Sequence, residues 1–195
     1  MARFTVYSSD GETAKYRGAP KYNGVFGKVS FLEFQQIVSP TLINWEVGDY
    51  IDYTRTGFRY KLYSLPQPTK QSSSASAGDA FVYKNVQFFC ATKDLELAPF
   101  RDLVLNTSAA HFTTISQVAT FESVYGIKDR IQANLDDFCG EGVWEVRCYD
   151  DNPVIAAKMA EVMNFSLTDG TVLDALNLIY TQWMGIGWVY SVDEE

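Results

Sequence analysis

The chain has 195 residues, of which 47% are hydrophobic and 21% charged, enough apolar material to bury a core in one domain or two small ones. Its 24 acidic and 16 basic residues leave a formal net charge of -8, and no block of Lys or Arg supplies the phosphate-tracking stripe that nucleic-acid binding needs, so no direct nucleic-acid partner is expected. The N-terminal "MARFTVYSSDGE" lacks the apolar stretch of a secretion signal and no apolar run approaches the roughly 20 residues of a membrane span, which predicts synthesis and folding in a cytoplasm with no membrane partner.

The first part of the chain reads as strands. "KVSFLEFQQIV" (Lys28 to Val38) alternates, is rich in Val, Phe and Ile, and stops at Ser39-Pro40, because proline removes a ladder donor. In "VGDYIDYTRTGFRYKLYSLPQP", Tyr50, Ile51 and Tyr53 lead into Thr54-Arg55-Thr56-Gly57, and Phe58, Tyr60 and Leu62 then resume a period of two. That pattern predicts a β-hairpin with a glycine-containing turn. "LPQPTKQSSSASAGDAFVYKNVQFF" (Leu65 to Phe89) sets a serine-rich stretch between strand-like flanks. The piece before it holds too few strands to close a core alone, so the stretch is expected to join neighbouring strands of one sheet or barrel, with a mobile Ser/Ala/Gly tip.

Near residue 120 the period changes. "FESVYGIKDRIQANLDDFCG" places Val124, Ile127, Ile131, Leu135 and Phe138 at spacings of three and four, ahead of Gly140, which predicts an amphipathic helix. "GVWEVRCYDD" alternates Trp144, Val146 and Cys148 against Glu145 and Arg147, as a half-buried strand does. "DDNPVIAAKMAEVMNFSL" has helix-forming Ala, Met and Lys yet is open to an extended reading. Thr171 with Asp174 three places on starts a second helix, with Leu173, Leu176, Ile179, Tyr180 and Trp183 at helical spacing up to Gly185, and "GWVYSV" reads as a further strand. A sheet is rarely finished by a strand with nothing behind it, so the 195 residues are expected to be the N-terminal part of something longer.

Residues that could carry chemistry are few. Cys90, Cys139 and Cys148 are odd in number and form no C-x-x-C pair, and the single His111 gives no cluster for zinc, so neither a metal nor a cofactor is expected. A Cys-His enzyme using Cys90 or Cys139 with His111 has no local signature behind it; buried, reduced thiols are the commoner fate. Glycoside hydrolysis needs two carboxylates about 5 to 9 Å apart. Asp49 and Asp52 on a strand would face opposite sides, while Asp136-Asp137, Asp150-Asp151 and Glu194-Glu195 read as solvated adjacent pairs. "GIGW" (Gly185 to Trp188) follows a helix, the wrong side for a phosphate loop, and Ser72-Ser73-Ser74 lacks the G-x-S-x-G elbow. The 12 Tyr, 13 Phe and 4 Trp suit a β-rich core, an interface or a sugar-binding face alike.

The order of "VSP" (Val38 to Pro40), "VGDYIDY" (Val47 to Tyr53), "YKLYSLPQPTK" (Tyr60 to Lys70), "FVYKNVQF" (Phe81 to Phe88), "LELAPFRDL" (Leu95 to Leu103), "DRIQANLD" (Asp129 to Asp136) and "TVLDALNLIYTQW" (Thr171 to Trp183) resembles the N-terminal region of tail proteins encoded by phages and prophages of gut bacteria. Those are similar in turn to the baseplate hub proteins of long-tailed phages, in which β-barrel domains form a ring that continues the tail tube. The resemblance implies an α+β chain: a β-rich, barrel-like domain over residues 1–118, then a smaller α/β domain with two helices over 119–195. It also implies no catalytic residue, other tail and baseplate proteins as partners, a homo-oligomer with a trimer favoured, and a place in the virion tail after synthesis in the host cytoplasm.

On this reading the chain acts through ring assembly, and Tyr50, Tyr53, Phe58 and Tyr60 on the hairpin are the expected interface, so that replacing Tyr53 or Tyr60 with Ser should weaken assembly more than folding. The alternative is a carbohydrate-binding module or surface adhesin using exposed aromatics.

Overall fold

The computed structural model describes residues 3–25, 27–72, 79–101, 103–106, 109–112 and 117–191. The protein is α+β, and its chain divides into two compact units, Met1–Lys93 and Asp94–Glu195. This division falls earlier than the expected one at 118/119. A boundary there would cut through a strand, Gln117–Glu122, that belongs wholly to the second unit.

The first unit contains β1 (Phe4–Tyr7), β2 (Ala14–Gly18), β3 (Lys21–Asn23), β4 (Phe31–Ser39), β5 (Tyr50–Tyr53), β6 (Phe58–Lys61), β7 (Pro68–Ser72) and β8 (Asp79–Cys90). All eight form one antiparallel sheet, in the order β2-β1-β5-β6-β8-β4-β3, with β7 pairing beside β6 along β8. The two ends of that path are successive strands, separated only by Ala19 and Pro20. The sheet therefore curls until one bent stretch of chain serves both edges, pairing with β1 before the proline and with β4 after it. Ring contacts across the curl agree: Tyr16 of β2 meets Phe34 of β4 at 5.2 Å, and Tyr22 of β3 stacks on Tyr53 of β5 at 5.8 Å. This is the barrel-like unit expected from the sequence.

The hairpin forms as its pattern predicts. Tyr53 pairs with Phe58, Ile51 with Tyr60, and Gly57 takes the turn's left-handed backbone at φ 73. Strand β4 ends at Ser39, one residue before Pro40. The serine-rich stretch joins β7 to β8, two neighbours in one sheet, and its tip at 73–78, expected to be mobile, lies outside the described residues.

The inward-facing positions change once along β4 and β8. Along β4 the buried side chains are Leu32, Phe34 and then Ile37; across the ladder they are Phe88, Val86 and then Tyr83. Both strands slip by one position at the same place, where Gln35-Gln36 faces Lys84-Asn85 and all four are exposed. Asn85 has φ 53, a left-handed backbone inside the longest strand, and asparagine tolerates that region better than most side chains. The pairing register is unbroken there, so the change lies in which side chains the two strands turn inward.

The second unit contains α1 (Lys93–Leu97, beginning at the last residue of the first), β9 (Leu103–Asn106), β10 (Ala109–Phe112), β11 (Gln117–Glu122), α2 (Val124–Cys139), α3 (Pro153–Met159), β12 (Met163–Thr168) and α4 (Val172–Gln182). Strands β9 and β10 pair with each other, as do β11 and β12. Helix α2 starts at the Ser123 cap, ends at Gly140 and buries Val124, Ile127, Ile131 and Leu135 of its stripe, whereas Phe138, expected to be buried with them, is exposed. Helix α4 carries the full capping box: the Asp174 amide donates to the Thr171 hydroxyl, and the Thr171 amide donates to the Asp174 carboxylate. The ambiguous segment resolves into both readings, helix α3 followed by strand β12.

Two expected strands do not form. Trp144, Val146 and Cys148 do alternate with exposed Glu145 and Arg147, yet the segment has no ladder. The Gln132 side chain on α2 takes the bonds a neighbouring strand would have taken, donating to the Trp144 carbonyl at 2.8 Å and accepting from the Val146 amide at 2.7 Å. In "GWVYSV" the described residues 187–191 are irregular; the Trp188 indole N–H donates to Asn177 of α4, a helix side chain where a strand would have offered its backbone.

Candidate functional site

The expected interface residues lie on two sides of the hairpin. Tyr53 and Tyr60 point inward and are 5% and 0% exposed. Tyr53 packs against Phe4 at 4.8 Å, Tyr22 at 5.8 Å and Tyr60 at 6.0 Å. The Tyr60 hydroxyl lies 3.3 Å from the Ser30 Oγ and 3.5 Å from the Thr56 Oγ1. Burial pushes the Tyr60 phenol up from its ordinary pKa, against the pull of those two hydrogen bonds. Both tyrosines therefore belong to the core of the first unit, and replacing either with Ser removes packing from that core before it touches any contact surface. This corrects their expected place in an interface.

Phe58, opposite Tyr53 in the ladder, shares the face of Tyr53 and Tyr60 and is half-buried near the turn, whereas Tyr50 is half-buried on the other face. Tyr50 packs against Tyr7 at 5.7 Å, and the Arg59 guanidinium lies 3.8 Å over the Tyr50 ring while forking onto Asp52 at 2.8 and 3.2 Å. The outer face of the hairpin is thus a tied layer of aromatic and paired charge, with Arg55 exposed at its turn.

At the open end of the hairpin the sequence motif "VGDY" becomes an ion-pair site. Asp49 is fully buried; one carboxylate oxygen accepts from the Lys15 ammonium at 2.8 Å and the other from the Glu46 amide at 2.9 Å. Lys15 also reaches the half-exposed Glu46 carboxylate at 3.2 Å. Burial works against the charged ammonium, and the hydrogen bonds and charges of Asp49 and Glu46 outweigh it, so the Lys15 pKa lies above its ordinary value. The pair ties β2 to the segment that precedes β5.

Above this pair opens a polar cleft of about 440 Å³, lined among others by Asp10, Thr13, Lys15, Thr41, Asn44 and Glu46. One wall is the β1–β2 turn, in which Ser8 donates to the Asp10 carboxylate and accepts from the Thr13 amide. The other wall follows β4 and is held by Tyr83, whose hydroxyl accepts from the Ile43 amide at 2.8 Å and lies 3.3 Å from the Ile43 carbonyl. Composition alone did not point to this cleft. The signal that could have found it was the unusual "GD" before a strand, a buried carboxylate requiring a cation from elsewhere in the chain.

Of the residues considered for catalysis, the three thiols fall within the described residues. Cys90 is fully buried, with Ser30 and Thr92 hydroxyls on its sulfur at 3.1 and 2.8 Å. Burial, reinforced by the charge of Asp94, pushes the Cys139 thiol up, and burial pushes the Cys148 thiol up as well, so both favour the unreactive protonated form. The His111 side chain, Ser73-Ser74 and Glu194-Glu195 lie outside the described residues, and the side chain of Ser72 does too.

Asp49 and Asp52 do face opposite sides, one buried with Lys15 and the other exposed with Arg59. Among the described residues no cluster of three or more His, Cys, Asp or Glu could hold a metal ion, and no helix is long and apolar enough to cross a membrane. Comparisons with protein-family models, with curated proteins and with solved structures find no match to this chain.

Proposed function

We propose that this protein is a structural component of a phage tail tip or baseplate hub, acting by ring assembly and protein-protein contacts rather than by chemistry. The observation that carries the reading is the first unit: an antiparallel sheet of eight strands, curled until successive strands β2 and β3 form its two edges, with a separate α+β unit after it. A barrel-like domain followed by a second domain is the order that the resemblance of the "VGDYIDY" to "TVLDALNLIYTQW" segments to tail proteins implies, although the second unit is not the smaller one expected. An edge strand such as β7, whose residues 68–71 are exposed, offers backbone groups that a neighbouring subunit can pair.

The test is the solution mass of the chain by light scattering over a concentration series. A closed trimer or hexamer is expected, and a strict monomer at every concentration would overturn the ring-forming role of this chain.

A carbohydrate-binding or adhesin role is the second reading, favoured by Tyr22, Tyr149 and Tyr180, which are 43%, 68% and 47% exposed. It predicts a shift of intrinsic fluorescence on a glycan panel, and it falls if no glycan produces one.

A further inference from the structure

We infer that the first unit carries both halves of a head-to-tail contact between copies of this chain: Arg55, at the tip of the β5–β6 hairpin of one copy, enters the acidic cleft beside Lys15 and Glu46 of the next. The inference rests on the ring reading above and names the surfaces that would build the ring.

The cleft is suited to a guanidinium. It is lined by Asp10 and Glu46, with Thr13, Thr41 and Asn44 beside them. Its own cation, Lys15, is already taken by the fully buried Asp49 and by Glu46, so three carboxylates stand against one ammonium. A planar fork of N–H donors satisfies carboxylates and hydroxyl oxygens together, which a compact ammonium does less well.

The hairpin tip offers the complementary charge. Arg55 is exposed within Thr54-Arg55-Thr56-Gly57 and has no carboxylate partner among the described residues, whereas Arg59 on the same ribbon is already held by Asp52. No acidic residue lies in the turn itself.

Geometry decides that the contact is between copies. Asp49 and Leu62 close the base of the hairpin, the Leu62 amide donating to the Asp49 carbonyl at 2.7 Å, and the turn begins at Thr54. Five residues of strand span roughly 17 Å, farther than an arginine side chain extends, so no copy can place its own Arg55 in its own cleft. Tip and cleft are different surfaces at opposite ends of one ribbon. A contact between unlike surfaces is heterologous, and it generates a ring where the rotation closes and a filament where it does not.

The experiment compares the full chain as wild type, Arg55→Gln, Arg55→Glu and the charge swap Arg55→Glu with Glu46→Arg, each checked for fold by circular dichroism and followed by light scattering over one concentration series. The wild type is expected to assemble, the two single variants to need roughly tenfold or more higher concentration to do so, and the swap to recover part of that loss. Single variants that assemble like the wild type would overturn this contact while leaving the ring reading intact. A wild type that is monomeric throughout would overturn both. A folded swap variant that assembles no better than Arg55→Glu would remove the cleft as the partner of the tip; where the swap does not fold, Arg55→Gln against wild type carries the decision.

Discussion

Asn85 occupies a left-handed backbone, at φ 53, in the middle of the strand that every neighbour in its sheet depends on. Glycine adopts that backbone without a Cβ penalty and a β-branched residue adopts it poorly. Asn85→Gly is therefore expected to leave the urea midpoint of the first unit unchanged or slightly raised, and Asn85→Val to lower its stability by about 1–3 kcal/mol. Lys15 gives a prediction in pH. Its pKa in the folded protein is raised above the ordinary 10.5, so the native state holds that proton more tightly than the unfolded chain. The stabilisation is fully present below the unfolded value and is lost as pH rises through the folded one. Thermal melts from pH 9 to about 12 should fall more steeply in the wild type than in Lys15→Met, even though the Tyr60 phenol, also raised, contributes an alkaline loss to both. Identical slopes would show that the Lys15–Asp49 pair stabilises nothing through its charge.

Element by element, the sequence was legible where a local pattern and its terminators agree. Helix α4 is the clearest case, because Thr171 and Asp174 fix its start through bonds between residues three apart. Helix α2 is as clear, since its apolar stripe and Gly140 bracket it. The hairpin was readable from Gly57 and the period of two around it. Failure came where a partner distant in sequence decides the outcome. The period of two in Trp144, Val146 and Cys148 records alternating burial correctly, but strand identity needs a ladder, and Gln132, twelve residues away, supplies those hydrogen bonds from a side chain. Gln132→Ala should accordingly leave a carbonyl and an amide without partners, cost about 1–3 kcal/mol, and release the Val146 amide to faster hydrogen exchange than in the wild type. Unchanged exchange would mean that the segment is held by packing of Trp144 instead. The tyrosines show the same limit from the other side: Tyr50, Tyr53, Phe58 and Tyr60 were all readable as one hairpin, but which of them face the core depends on the curl of strands far away in the chain.

For the whole molecule, the division at Lys93 and Asp94 gives each unit its own buried residues, from Val6 to Cys90 in one and from Leu95 to Ile186 in the other. Units with separate cores unfold with separate enthalpies, so calorimetry is expected to resolve two transitions, and Leu135→Ala, which opens a cavity at a side chain 1% exposed, to lower only one of them by about 2–5 kcal/mol of stability. A single transition that moves as one in that variant would show the two units to be cooperative.

The place of β8 in the first sheet also governs the order in which the protein can be made. β4, β6 and β7 all pair with Asp79–Cys90, so the strands that leave the ribosome earlier have no central partner until that segment follows them. During that interval the earlier strands can pair only among themselves, as β1 with β2, β3 with β4 and β5 with β6, and their aromatic faces stay uncovered, a window in which contact with another nascent chain competes with folding. The serine-rich stretch at 65–78 lies just upstream of β8, and its low apolar content keeps the last segment made before the sheet can close from adding to that hazard.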